Sequence, residues 1–485
     1  MTARRRTADL ARGESGTVTG PAAGGAAEFE VRLASFVKDN RLYGAAAGVV
    51  HRGELAWAGG VGFADITSRR PSQPDTLYRI ASITKTFTGT AIMHLRDAGK
   101  LDLDDPAVDW LPELKASGSP KTIAQVTIRR LLSHESGLIG DPPGTDWTLP
   151  VPTYEGRPES SLARAAEIFT AVPPNTQQKY SNLGYQLLGE IVRRASGTDY
   201  PAFLRAHVLT PLGMTATAFE PLEPALAARC ATGYDGRAFS DELSVAAAVP
   251  PIWAEGGLWS DVRDLAQWLS FQLGPYADQP ADSPVLAAAT LREMHKPRYL
   301  GDDGWKEAFG ISWYAIRKDD VTWIQHAGAL NGFIASACFD REHSVGAIAL
   351  LNGAADAQDL AMDLADIARR LVQASPPAVR LPAPTPEQYN SLLGLYATAD
   401  MTMLVRLEWR DGKLAFVEPG STDEPTEIEP SGTPDTFTAA AGNRNSGETV
   451  RFRRLASGRV ESVFVGSATL LRLDPAPEDG VVVAD

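Results

Sequence analysis

The chain has 485 residues, 44 % of them hydrophobic and 22 % charged, with a formal net charge of -14. That length exceeds one ordinary core, so two domains are expected, and the composition is that of a folded protein. The acidic balance excludes nonspecific attachment to nucleic acid or to an anionic membrane, because phosphate contact depends on clustered Lys and Arg, and no 18-residue apolar run is present to cross a bilayer.

Two cysteines, Cys230 and Cys338, are too few for a disulfide framework and lack the neighbours of a zinc site, so both are expected as buried free thiols. Arg4-Arg5-Arg6 could open an export signal, but residues 7–26 alternate polar, glycine and alanine residues. The apolar stretch of roughly 7 to 15 residues that a signal requires does not follow. The expectation is a cytoplasmic protein with a flexible tail over residues 1–26.

From Ala27 the pattern is helical, with Phe29, Leu33, Phe36 and Val37 on one stripe. Gly44-Ala-Ala-Ala-Gly-Val-Val50 and Glu54-Leu-Ala-Trp-Ala-Gly59 flank His51-Arg52-Gly53 and read as a hairpin, whose small residues suit close packing under helices. Ile83, Phe87, Ala91 and Leu95 then recur every four residues, predicting a helix that runs to about Gly99. Residues 101–111 read as a loop with short turns, and 126–137 as a short helix ended by Gly137. Residues 141–157, rich in Pro, Gly and Asp and holding Trp147 and Tyr154, form a candidate substrate loop.

Helical patterns return at 161–169 and 183–195, and Pro173-Pro174-Asn175 turns the chain between them, which leaves Tyr180-Ser181-Asn182 on a loop before a helix. Gly256-Gly-Leu-Trp-Ser-Asp261 leads into the stripe Val262, Leu265, Trp268 and Leu269, with Ser260 as the expected N-cap. From Ile311 the period changes. Residues 311–316, 321–325, 333–339 and 345–351 read as consecutive antiparallel strands, closed by a helix over 358–372. The expected fold over residues 27–373 is therefore α+β: an antiparallel sheet with strands from both chain ends, flanked by helices, with a helical subdomain between. Residues 374–387 form a proline-rich linker. Beyond it, β-patterned runs at 403–409, 414–417, 436–439, 449–455 and 460–473 predict a small all-β antiparallel sheet or barrel over 388–485, its first hairpin turning at Arg410-Asp411-Gly412-Lys413.

The chemistry centres on Arg79-Ile-Ala-Ser82-Ile-Thr-Lys85. Spacing i, i+3 at a helix start puts Ser82 and Lys85 on one side, with unpaired first-turn N–H groups around the serine oxygen. A serine activated without histidine needs another base, and a desolvated lysine beside a phenol can serve. Ser35-Phe-Val-Lys38 has the same spacing on an ordinary amphipathic helix. Tyr180-Ser-Asn182 offers the phenol, and its amide can hold the lysine or a substrate carbonyl; a half-buried core tyrosine would look the same. His326-Ala327-Gly328 is read as the start of a strand edge whose glycine lets a substrate backbone lie close, although His51-Arg52-Gly53 matches equally well. The chain has no Gly-x-Ser-x-Gly elbow and no Gly-Lys-Ser/Thr phosphate loop, and His134-Glu135 lacks the second histidine of a metalloprotease helix.

In this order and context the three motifs resemble the serine β-lactamase and penicillin-binding-protein superfamily, in its class C-like, esterase and D-aminopeptidase branch. The resemblance also covers Leu131-Leu-Ser-His-Glu-Ser-Gly-Leu138, similar to that family's Leu-Leu-x-His-Thr-Ser-Gly-Leu but with Glu135 for Thr, and Gly256-Gly-Leu-Trp-Ser-Asp-Val-Arg-Asp-Leu265. It spans roughly residues 29–372, and the carboxyl region, through Leu393-Gly-Leu-Tyr396 and its strands, looks like an appended lipocalin-like barrel. The resemblance implies Ser82 as nucleophile, Lys85 and Tyr180 moving its proton, and Asn182 orienting substrate and lysine. It further implies an oxyanion hole from the backbone N–H groups of Ser82 and Ala329, the latter following Gly328. His326 stands where class C enzymes carry the lysine of Lys-Thr-Gly, and a histidine is largely neutral near pH 7. Substrates bearing a carboxylate, such as β-lactams and D-Ala-D-Ala ends, are thereby disfavoured.

The implied activity is a serine hydrolase that cleaves a small ester or peptide-like amide through an acyl-enzyme on Ser82, without cofactor or metal. Two alternatives stand beside it: an acyltransferase or peptide cyclase using the same acyl-enzyme, and a non-catalytic ligand-binding or scaffold protein that keeps the fold. Neither substrate identity nor oligomeric state follows from the sequence.

Overall fold

The computed structural model of the chain describes residues 25–146, 157–220, 222–234, 245–246, 252–277, 282–301, 304–318, 320–374, 385–399, 401, 403–410, 412–419, 425–440 and 446–473. The chain divides into two compact units, Met1–Ser375 and Pro376–Asp485. The tail up to residue 24, the segment 375–384 and the stretch 147–156 with Trp147 and Tyr154 lie outside the described residues. Among the described residues no helix is long and apolar enough to cross a membrane.

The first unit is α+β. The strands of its main sheet are β1 (Gly44–His51), β2 (Glu54–Asp65), β3 (Arg70–Pro71), β4 (Tyr299–Leu300), β5 (Glu307–Phe309), β6 (Tyr314–Lys318), β7 (Val321–Leu330), β8 (Phe333–Asp340) and β9 (Val345–Leu351). They form one antiparallel sheet in the order β3-β2-β1-β9-β8-β7-β6-β5-β4. The two ends of the unit meet at its centre, where Ala45 pairs with Leu351 and His51 with Val345. Arg52 and Gly53 both take positive φ, 51° and 80°, as a two-residue primed hairpin turn requires. Arg52-Gly53 is thus the turn, and His51 is the last residue of β1.

Of helices α1 (Ala26–Asp39), α2 (Thr84–Asp97), α3 (Asn182–Ser196), α4 (Val262–Leu273) and α5 (Ala357–Ala374), α1, α4 and α5 lie on the sheet, and α2 and α3 pack against each other. On one face Phe29, Leu33, Trp57, Trp323, Leu360 and Leu364 form a core between the sheet and helices α1 and α5. On the other, Ile83, Phe87, Leu187, Leu265, Trp268 and Ile348 belong to a larger core that includes the helical subdomain. A Cβ on Gly48 would come 2.4 Å from Val262 Cγ1, so glycine is what lets α4 lie on β1.

Several local expectations need correction. The helix within 126–137 is Ile128–Leu132, and Gly137 lies beyond it at φ 70°. The N-cap of α4 is Asp261, whose side chain accepts from Asp264 N–H, while Ser260 sits in a two-residue strand and hydrogen-bonds Thr217 at 2.8 Å. Residues 101–111 include the four-residue helix Ala107–Trp110. Ile311 and Ser312 precede β6, with Ser312 at φ 62°. Cys338 is buried but Cys230 is only partly so, and both are free.

The second unit is a closed barrel of eight antiparallel strands: β10 (Gly394–Ala397), β11 (Leu404–Arg410), β12 (Lys413–Val417), β13 (Thr426–Pro430), β14 (Thr436–Ala439), β15 (Thr449–Arg454), β16 (Val460–Val465) and β17 (Ala468–Arg472). Each strand pairs with the next, and Tyr396 pairing with Arg472 closes the ring, the up-and-down order of lipocalin-like barrels. Leu407, Phe416, Phe437, Phe452 and Val463 fill it. The run 460–473 is two strands, and β10 and β13 are too short and mixed in pattern to be read beforehand.

Candidate active site

The chain enters α2 through a 3-10 turn, Ala81–Ile83, in which Ala81 takes φ 44°, a left-handed conformation costly for a side chain. This turn presents Ser82, half-buried, to a cavity of about 830 Å³. One turn on, Lys85 is 0 % exposed. Its Nζ lies 3.1 Å from Ser82 Oγ, 2.7 Å from Asn182 Oδ1 and 2.5 Å from the Glu255 carbonyl oxygen. Asn182 is oriented from behind, since its Nδ2 donates to Asp141 Oδ1 at 2.7 Å. Burial pushes the Lys85 pKa down to about 7, against the opposing charges of Glu255 and Asp141.

Ser181 caps α3, its Oγ accepting from Gly184 N–H, and the two residues beside it project toward Lys85. The Tyr180 ring lies 4.9 Å from Lys85 Nζ, and both Tyr180 and Ser82 line the cavity. Burial raises the phenol pKa above its ordinary value, a rise the neighbouring Ser82 hydroxyl only partly opposes. Tyr180 is therefore a neutral O–H group near pH 7.

β7 closes the other side. His326 is its sixth residue rather than a strand start. The last pair joining β7 to β6 is Gln325 with Tyr314, so among the named strands residues 326–330 have no partner on that edge. Gly328 packs on the Ser82 turn: a Cβ there would lie 2.3 Å from Ile80 O and 2.7 Å from Ser82 N, covering the Ser82 amide. Ala329 follows, exposed and lining the cavity. His326 is 1 % exposed, and its Nδ1 donates to the Ala327 carbonyl oxygen at 2.7 Å. Burial, with the Lys85 charge second, pushes its pKa down to about 3. All seven residues singled out from the sequence thus surround one cavity or, for Lys85, lie directly behind it.

Four contributors carried no clear signal in the sequence. His134, at φ 59°, accepts the Ser181 N–H on Nδ1 at 3.2 Å and packs its ring 4.3 Å from that of Tyr180. It lies in the Leu131–Leu138 motif, so its position was visible and its task was not. Asp141 and the Glu255 carbonyl hold Asn182 and Lys85, and only the adjacent Gly256-Gly257 marked Glu255. Tyr314, whose ring lies 5.6 Å from that of His326, stood out only as part of a strand pattern. Among the described residues Asp340, Glu342 and His343 have ligand atoms close enough to share a metal ion. They sit at the end of β8 remote from the Ser82 turn.

Residues 29–371 match the family described as Beta-lactamase, and the chain belongs to that family. Among its relatives, Beta-lactamase-like protein 2 of Dictyostelium discoideum is 29% identical over 61% of this chain and 54% of its own length. Penicillin-binding protein 4 of Amycolatopsis lactamdurans is 31% identical over 62% of this chain and 74% of its own. Esterase EstB of Burkholderia gladioli is 33% identical over 41% of this chain and 53% of its own. The chain thus spans about half the length of two of these relatives. In fold it is similar to the octameric penicillin-binding protein homologue from Pyrococcus abyssi, with a TM-score of 0.61 at 22% identity, covering 92% of this chain and 99% of that one.

Proposed function

We propose that the protein hydrolyses a small ester or peptide-like amide through a covalent acyl-enzyme on Ser82. The observation that carries this reading is the hydrogen-bond arithmetic at Lys85. A neutral amine has two N–H donors and one lone pair. Asn182 Oδ1 and the Glu255 carbonyl can only accept, so they take both donors, and the lone pair is left for the hydroxyl of Ser82, 3.1 Å away. With its pKa near 7, Lys85 spends a large fraction of time in that base form.

As Ser82 Oγ attacks the substrate carbonyl, its proton moves to Lys85, and the oxygen's new charge meets the N–H groups of Ser82 and Ala329. Each such donor contributes about 3 kcal/mol in acyl-transfer sites. Collapse expels the alcohol or amine, which takes a proton through the Tyr180 hydroxyl and Lys85. Water then repeats the sequence on the acyl-enzyme, releasing the acid. The names of the relatives, an esterase and a penicillin-binding protein among them, support acyl chemistry of this class.

Intact-protein mass spectrometry after exposure to p-nitrophenyl esters is expected to find the acyl mass on Ser82, with turnover lost in Ser82→Ala. Ser82→Ala with wild-type turnover would end the proposal. The mass of the released product separates hydrolysis, which adds water, from transfer to an amine, which does not.

A further inference from the structure

Asn182 stands between Lys85 and a carboxylate, and the two ends of its amide are not interchangeable there. Its Oδ1 accepts from Lys85 Nζ at 2.7 Å, and its Nδ2 donates to Asp141 Oδ1 at 2.7 Å. A carboxylate only accepts, so Asp141 takes the N–H end and leaves the oxygen facing the lysine. Asp141 is itself held in place. Ser181 Oγ donates to the Ile139 carbonyl at 2.7 Å, and the Asn182 and Leu183 N–H groups both donate to the Gly140 carbonyl, at 2.6 and 3.1 Å. The chain leading into Asp141 is therefore bound to the first turn of α3, which carries Asn182.

The direction of the amide decides what Lys85 does with its lone pair. As the site stands, both donors of the neutral amine go to Asn182 Oδ1 and the Glu255 carbonyl. With the amide turned round, Nδ2 would donate to Lys85, whose lone pair would be taken and whose freed N–H would go to Ser82. The serine would then face a donor instead of a base. We infer that Asp141 is a positioning residue for acylation: by accepting the Asn182 N–H it fixes the polarity of the Lys85–Ser82 hydrogen bond, acting through Asn182 and not on the substrate. The inference rests on the proposed role of Lys85 as base.

Asp141 is half-exposed, so its side chain can be exchanged at little cost to folding, and thermal melts report whether each variant is folded. Three side chains grade what Asn182 meets: the native carboxylate, which only accepts; Asp141→Asn, which pairs with either end of the amide; and Asp141→Lys, which only donates. Hydrolysis of p-nitrophenyl butyrate is followed across the Lys85 titration and on the plateau above it. Plateau kcat/KM is expected to fall roughly twofold in Asp141→Asn, as an evenly split amide gives. In Asp141→Lys it falls about a hundredfold, the lower range of what a general base contributes. The limb itself moves the other way. Loss of the Asp141 charge disfavours the ammonium, so the rise through Lys85 shifts to lower pH in both variants. The other titratable groups around Lys85, namely Glu255, Tyr180, Tyr185, His134 and His326, are unchanged in the series. In an Asn182→Ala chain the same substitutions are expected to leave the plateau where Asn182→Ala alone puts it, while still shifting the limb.

Plateaus equal to wild type in both folded variants, with only the limb displaced, reduce Asp141 to a charge and overturn the inference. An equal fold loss with and without Asn182 overturns it too. The Ser82→Ala chain separates this inference from the reading beneath it. Turnover lost there, with plateaus indifferent to residue 141, leaves the acyl-enzyme standing and refutes the positioning role. Wild-type turnover in Ser82→Ala removes both.

Discussion

Lys85 owes its chemistry to position alone. An exposed lysine is charged up to a pH of roughly 10, but here the ammonium is out of water and compensated only by two carbonyl oxygens and the more distant Glu255 and Asp141 charges, so its pKa falls to about 7. The sign follows directly: the base is the deprotonated form, so kcat/KM for a neutral ester is expected to rise with pH through about 7 and to level off above it. A pH profile that is flat between 6 and 8, roughly one unit either side of that pKa, would remove Lys85 from the role. Lys85→Arg tests the same point, because a guanidinium does not deprotonate; activity is expected to drop by about 100- to 10,000-fold, the usual worth of a general base. Tyr180, raised by the same burial, stays protonated throughout that range and shapes no limb of the profile.

At the scale of elements, the site is the meeting of a helix start, a capped loop and a free strand edge, each held by residues outside the cavity. His134 shows how. Its Nδ1 accepts the backbone N–H of Ser181, which lies between the two residues that face Lys85, and its ring supports that of Tyr180. His134→Leu leaves that N–H buried and unpaired, and is expected to lower stability by about 1–3 kcal/mol in urea unfolding. It also lets the Tyr180 loop shift, so kcat should fall while KM for a neutral ester changes little. His134→Asn tolerates the positive φ and keeps an acceptor, so it should restore part of both. Equal damage from the two variants would assign His134 to packing alone.

For the whole molecule, burying titratable groups in neutral form has a consequence for folding. His134, His295 and His326 are all buried, with pKa values pushed well below the ordinary 6.5, the last two to about 3. Below pH 6.5 the unfolded chain therefore binds protons that the folded chain does not, so stability is expected to fall as pH drops from 6.5 toward 3. Each histidine adds roughly 1.4 kcal/mol per pH unit in that window. His295 is remote from catalysis, bonded to Gln272 and Tyr276; His295→Asn should flatten the acid limb of urea midpoints against pH by about one proton, and an unchanged slope would refute the account. Much of this architecture was legible beforehand, because the repeats that mark it are local: the stripe from Ile83 to Leu95, the hairpin at Arg52-Gly53, the strands from Val321 to Leu351, and Ser82, Lys85, Tyr180 and His326 as types at set places in the chain. A two-residue strand, a cap shifted by one position and the halves of the last run depend on pairing partners far along the chain, and local pattern is silent on them. By itself the sequence determined which groups are available and on which kind of element each rides. Only the tertiary structure decided that Lys85 is dry, that Asn182 and the Glu255 carbonyl consume both of its donors, and that His326 is buried with its Nδ1 proton on the Ala327 carbonyl, because desolvation and hydrogen-bond direction arise only when distant segments close around the same few atoms.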